Sequence, residues 1–395
     1  MNNTHQIPYP KIGILSLAHM LNDTYSNFLP QMLPFLIVLH ADFTATRAAI
    51  LVAAFTITSS LVQPIFGYFL DSRGKRWFVY VGTLWMAIML SLTGTVQNYW
   101  LLVVLAALAG LGTAAFHPQA SKMVNILSGD RKGVVLSGFV AFGNIGYALA
   151  PLLLIPLFQF YGLEATVFTV IPGIFVALLL LFFAPRSDMF AGSNTDFSVV
   201  LSSLKAASGE LASIISVIAI RSLAYFGMLT ILPLYLKSQN LSNIAASHLL
   251  TIMLASGAIG GIVGGFISDY YGRKRLIVGS LMISTPLFFA FLYTKGTLST
   301  VFLALAGAAL LSSFSVTVIA AQEAIPDNKA LAAGLTMGFA GGIGGLAVIA
   351  IGQIGDIWGL SAAIFVLFLL PIVAGLMGLG MKSRPSARME RKVSI

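Results

Sequence analysis

The sequence lacks cysteine altogether and is poor in charge, with Asp, Glu, Lys and Arg making up 9% of its 395 residues. Without cysteine there is no disulfide and no thiolate metal site. With 58% hydrophobic residues and a mean hydropathy of +0.93, a soluble globular domain of this length is excluded, so the solvent of most of the chain is lipid. A Gly-x4-Gly-Lys-Ser/Thr phosphate loop is missing too, which excludes ATP as a direct source of energy. No paired nucleophile and base is recognisable, and the chain does not read as an enzyme. The five histidines, His5, His19, His40, His117 and His248, provide no helical pair for a metal, and neither a metal nor another cofactor is expected. The formal charge of +9 does not point to nucleic acid, because the basic residues sit at the ends of apolar runs, where anionic headgroups account for them.

What is present is a succession of long apolar segments. A membrane-spanning helix needs ~20 apolar residues. About twelve stretches qualify: 12–37, 46–70, 77–95, 99–125, 134–158 and 164–183, then 211–236, 245–268, 276–294, 298–322, 330–355 and 360–381. Continuous runs without strict alternation predict helices and not a barrel. The expected architecture is an all-α polytopic membrane protein of twelve transmembrane helices. It divides into an N-terminal six-helix bundle over 1–184, a polar cytoplasmic linker over 185–210, a C-terminal six-helix bundle over 211–381 and a basic cytoplasmic tail over 382–395. If both termini are cytoplasmic, 18 of the 22 lysines and arginines fall on that side. Only Arg47, Lys237 and Lys295 lie opposite, with Arg221 left inside a span, and this bias fixes the expected orientation. The first apolar run continues past residue 30 after a polar start, so it is expected to be a mature span and not a cleavable signal.

A short motif occurs twice. Residues 67–76 and 265–275 both read Gly-x3-Asp-x2-Gly followed by basic residues, which supplies Gly67, Asp71, Gly74, Lys75 and Arg76 in the first copy and Gly265, Asp269, Gly272, Arg273 and Lys274 in the second. The copies lie 198 positions apart, about half the chain, as expected of one ancestral half written twice. The same offset relates Asp23 in span one to Arg221 at mid-depth in span seven. A charge at the bilayer centre costs ~2.5–3.5 kcal/mol on insertion scales, so each needs a reason. In transporters built from parallel repeats the site lies between the halves near the midplane, and these opposite charges are expected to face one another there. A fixed ion pair that only holds the halves together is the alternative.

Around Asp23, the residues His19, Asp23, Asn27 and Gln31 recur at every fourth position and form a stripe expected to face a wet cavity. Pro30 and Pro34 follow and are expected to open backbone hydrogen bonds near it. His117, Lys122 and Glu323 are placed toward the cytoplasmic ends of spans four and ten. Gly138, Gly143 and Gly146, with the glycines between 334 and 345, read as plain helix packing in lipid.

The doubled hinge, the six plus six spans and the central linker together resemble the major facilitator superfamily of secondary transporters, over essentially the whole chain. A narrower set of residues is similar to the fosmidomycin-resistance proteins, which are inner-membrane drug exporters: His-Met-Leu-Asn-Asp at 19–23, Phe-His-Pro-Gln-Ala-Ser-Lys at 116–122, and Ala-Gln-Glu at 321–323 with Pro326. Gln119 and Lys122 stand where that family usually has glutamate and arginine, which keeps the polar character and removes a carboxylate. Gly146, Ala150 and Pro151 partly match the proline-containing motif of proton-coupled drug antiporters. The resemblance implies two pseudo-symmetric bundles around a central cavity in a bacterial inner membrane. It also implies that the hinge gates the cytoplasmic face, with Asp71 and Asp269 latching neighbouring helices and Lys75, Arg76, Arg273 and Lys274 holding the loop inside.

The reading that follows is a proton-coupled antiporter exporting a small anionic drug or metabolite, by resemblance a fosmidomycin-like phosphonate. Arg221 is assigned to substrate, with Asn27, Gln31, Gln119 and Lys122. Asp23 or Glu323 is assigned to proton carriage, with His19 or His117 as relay. The partners are the substrate, protons and membrane lipids, the proton gradient replaces any cofactor, and a monomer is expected to suffice. Two alternatives stay open: a proton-coupled uptake symporter for an organic anion or sugar, and a non-transporting membrane sensor or assembly factor.

Overall fold

The computed structural model describes residues 7–39, 42–63, 66, 76–128, 132–185, 202, 204–325, 332 and 334–383. Among these every regular element is helical. The first span is broken in two, α1 (Tyr9–Ser26) and α2 (Phe28–Leu39), around a turn at Asn27. Pro30 has no N–H for the Ser26 carbonyl and its ring crowds that carbonyl, which accounts for the break. The next helices are α3 (Ala45–Ser60), α4 (Trp77–Ser91), α5 (Tyr99–Leu127), α6 (Lys132–Tyr161) and α7 (Val170–Phe183). After the linker come α8 (Ser208–Ser238), α9 (Asn243–Tyr271), α10 (Arg273–Tyr293), α11 (Gly296–Ala324), a π-helical turn over Gly334–Ala340, α12 (Gly341–Trp358) and α13 (Leu360–Gly378). Among the described residues ten helical stretches are long and apolar enough to cross a membrane, and α3 is a shorter apolar helix. With the broken first span, these fill all twelve places expected from the apolar runs.

Helix boundaries follow local chemistry. Asn98 and Ser242 cap α5 and α9 by accepting from Leu101 N at 3.1 Å and Ala245 N at 3.2 Å, which satisfies one free N–H in each first turn. The second copy of the hinge is a one-residue connection. Gly272 alone separates α9 from α10, at φ +88°, a left-handed conformation that a side chain would strain.

Lipid offers no hydrophobic drive for helices to associate, so close packing does the work. Gly82 of α4 and Gly112 of α5 sit back to back, where a Cβ on either would come within 2.8 or 2.5 Å of the other's carbonyl oxygen. The duplication is also visible in packing. Gly146 of α6 lies on the Met20 backbone of α1, and Gly344 of α12, 198 positions later, lies on the Ala219–Leu223 backbone of α8.

The chain forms two compact units: Met1–Phe35 with Ala54–Asn194, and Leu36–Ala53 with Thr195–Ile395. The segment 36–53 thus belongs with the second unit, where Ala45 N and Thr46 N donate to the Asp356 carboxylate at 2.7 and 2.9 Å. Of the first hinge copy, Gly67, Asp71, Gly74 and Lys75 lie outside the described residues, as does most of the linker. Arg76 is described, and its guanidinium donates to the Leu181 carbonyl at the end of α7.

Candidate functional site

In the first unit two helices, α1 and α5, bring three titratable side chains together. Asp23 of α1 has its Oδ2 3.4 Å from His19 Nε2 and its Oδ1 3.3 Å from Nε2 of His117, on α5. The two imidazoles meet edge to face, 5.0 Å between centroids. Phe139 of α6 closes the group, its ring stacked on His19 at 4.1 Å and its carbonyl 2.8 Å from His19 Nδ1. A carbonyl only accepts, so Nδ1 carries a proton. The group is screened but not sealed, with side-chain exposures of 9% for His19, 13% for Asp23 and 18% for His117.

Room for this cluster is made by Gly143 on α6. A Cβ there would collide with Asp23 Oδ2 and come within 2.6 and 2.8 Å of His19 Cε1 and Nε2. Sequence reading treated Gly143 as packing and did not associate Phe139 with the site. The signal available was only the four-residue spacing of Phe139 and Gly143. Asn22, buried beside Asp23, donates to Ala18 O and Thr83 Oγ1 at 2.9 Å each and ties α1 to α4.

The stripe departs from expectation beyond Asp23. Asn27 and Gln31 are 0% and 1% exposed and do not face open water. Asn27 Nδ2 donates to the Tyr147 carbonyl at 2.9 Å, and Gln31 Nε2 donates to Asn27 O and Oδ1 at 3.1 and 3.2 Å. The reason lies in α6: Pro151 has no N–H to offer the Tyr147 carbonyl four residues earlier, so that oxygen accepts from Asn27 instead. On α5, Gln119 is fully buried and neither its Nε2 nor its Oε1 has a hydrogen-bond partner, while Lys122 is half-buried one turn on.

In the second unit Arg221 is 2% exposed within α8. Its Cζ lies 4.6 Å from the centre of the Phe314 ring on α11, a cation–π contact, and its Nε has no hydrogen-bond partner. Among the described residues of its own unit no carboxylate stands within ion-pair distance of it. Gly344 brings α12 against the turn that carries it, where a Cβ would meet Ser222 Cβ at 2.6 Å. Farther along α11, Glu323 Oε1 accepts from Arg273 Nε at 3.3 Å, and Arg273 also binds Asp269 and Ser268. Glu323, read from sequence as a proton carrier, and Arg273, read as part of the gate, therefore form one ion pair at the second hinge. Lys274 is half-buried beside it and Gly265 lies one turn before Asp269.

The description that matches this sequence is that of the Major Facilitator Superfamily, over residues 15–348. The chain belongs to this superfamily. Superfamily relatives include the "uncharacterized MFS-type transporter YfnC" of Bacillus subtilis (strain 168), 31% identical over 92% of this chain and 91% of that one. The fosmidomycin resistance protein of Escherichia coli (strain K12) is 30% identical over 84% of this chain and 83% of its own. The fold is shared with the crystal structure of a bacterial homologue of the human lysosomal transporter Spinster, with a TM-score of 0.76 and 14% identity over 95% of this chain and 97% of that one. This superfamily member is an integral membrane protein of transporter fold, surrounded by lipid and built to handle a small molecule.

Proposed function

We propose that the chain is a secondary active transporter that exports a small organic anion in exchange for protons by alternating access, and that it does so in the bacterial inner membrane with both termini cytoplasmic. The observation that carries this reading is Arg221. A guanidinium buried in a membrane span without an acidic partner is costly unless an anion completes it. Its planar fork suits the oxygens of a phosphonate or carboxylate. Resistance to fosmidomycin, named for the Escherichia coli relative, makes a phosphonate of that kind the first substrate to try. The proton is assigned to the Asp23 group, where the carboxylate lies 3.4 Å from His19 Nε2 and 3.3 Å from His117 Nε2. The Arg273–Glu323–Asp269 cluster is assigned to the gate. No chemistry on the substrate is involved, so the protein is not an enzyme.

The test is fosmidomycin-dependent proton release from everted vesicles. Arg221→Ala is expected to abolish it, while Arg221→Lys, which keeps the charge without the fork, should raise KM more than it lowers the maximal rate. Unimpaired coupled transport in both Arg221→Ala and Asp23→Asn would refute the assignment. Proton uptake accompanying substrate, in place of release, would favour the symport reading.

A further inference from the structure

We propose that His19, Asp23 and His117 form a binding site for a divalent transition-metal ion of the zinc, cobalt or nickel class. One ligand atom from each residue lies within 4.8 Å of the others, in a group drawn from α1 and α5. His19 Nε2 lies 3.4 Å from Asp23 Oδ2 and His117 Nε2 lies 3.3 Å from Oδ1, so each imidazole stands at ligand-to-ligand spacing from one oxygen of the same carboxylate. With bonds of ~2.0–2.1 Å, tetrahedral ligands stand about 3.3 Å apart. Two imidazoles with one carboxylate is the donor set of zinc, cobalt or nickel, whereas magnesium and calcium take oxygen ligands.

Two further features of the group fit a metal. The Phe139 carbonyl accepts from His19 Nδ1 at 2.8 Å, which is the outer contact that commonly fixes a metal-binding imidazole and turns its Nε2 lone pair to the ion. Gly143, by lacking a side chain, lets α6 lie against the cluster without displacing the Asp23 carboxylate or the His19 ring from their places. Scanning the sequence for histidines on one helix misses this arrangement because the second imidazole comes from α5, 98 positions away from the first.

The test uses the purified full-length chain, without a histidine tag, in detergent micelles, stripped with chelator and titrated with Co2+. One ion per chain is expected, with the intense visible bands of four- or five-coordinate cobalt. Asp23→Asn and His19→Ala should each weaken binding at least tenfold, whereas His248→Ala, on an exposed residue, should leave it unchanged. His117→Cys is the decisive variant. Because the native chain has no cysteine, a thiolate-to-cobalt charge-transfer band in that variant reports position 117 alone. Failure of the native chain to bind Co2+ stoichiometrically, binding that the Asp23 and His19 variants leave intact, or absence of the thiolate band would each overturn the proposal. The readout is binding and involves no transport, so its failure is separate from failure of the exporter reading.

Discussion

Gly143 shows how a residue without a side chain can define a site. The carboxylate of Asp23 and the ring of His19 occupy the volume that a methyl group at position 143 would need. Gly143→Ala must therefore push α6 away from α1 or turn Asp23 off one imidazole. Overpacking of this kind costs about 1–3 kcal/mol. Gly138, one and a half turns earlier on the same helix, has nothing within 4 Å of where its Cβ would be, so Gly138→Ala removes a helix glycine without crowding. The expected outcome is a lower thermal midpoint and a several-fold loss of transport for Gly143→Ala, with neither for Gly138→Ala. Equal behaviour of the two would mean that the cluster tolerates displacement of α6. At this scale the sequence was legible in part. His19, Asp23 and His117 stand out because charge is costly in lipid, but Gly143 is one of 38 glycines and carries no mark of its neighbours.

At the scale of helices, polar residues in lipid answer the main chain as often as they answer a ligand. Asn27 on α1 and Pro151 on α6 are complementary: one supplies the N–H that the other withholds from the Tyr147 carbonyl. Asn27→Leu should destabilise the protein by about 0.6 kcal/mol, the average for hydrogen bonds between membrane helices, and by no more than about 1.7. In a Pro151→Ala background the restored N–H of residue 151 can bond the same carbonyl, and the penalty should shrink toward zero. A double-mutant cycle on denaturation midpoints measures that difference, and additive penalties would show the two sites to be independent. The four-residue recurrence put His19, Asp23, Asn27 and Gln31 in one stripe along the first span, which the break at Asn27 divides between α1 and α2. It could not say what that face meets, because periodicity reports direction from the helix axis and not the identity of the neighbour. The twelve apolar runs were legible for the opposite reason. Span length is set by bilayer thickness and needs no knowledge of tertiary contacts. The break at Asn27 was foreshadowed by Pro30 and Pro34, whereas the Arg273–Glu323 pair joins residues 50 positions apart, which spacing alone does not connect.

At the scale of the whole chain, the segment Leu36–Ala53 belongs to the second unit although the rest of the first six spans forms the other. Two contacts explain this membership. Gly352 of α12 meets the α3 backbone so closely that a Cβ would lie 2.7 Å from Ala45 O and 2.9 Å from Thr46 Cα. The Asp356 carboxylate, one turn on, accepts both Ala45 N and Thr46 N, binding an anion at the positive end of α3. Charged hydrogen bonds of this kind are worth about 1.5–3 kcal/mol, so their loss shifts a two-state equilibrium roughly tenfold or more. If alternating access requires this segment to leave α12, Asp356→Ala should favour the released state. Thr46→Cys provides the probe in a chain with no other thiol. Its labelling by a membrane-impermeant maleimide is expected to accelerate several-fold in the Asp356→Ala background. Asp356→Asn, which keeps an acceptor oxygen but loses the charge, should fall between the two. An unchanged labelling rate in Asp356→Ala would show that the capped end of α3 stays with α12 throughout the cycle, and that the moving boundary lies elsewhere along the helix.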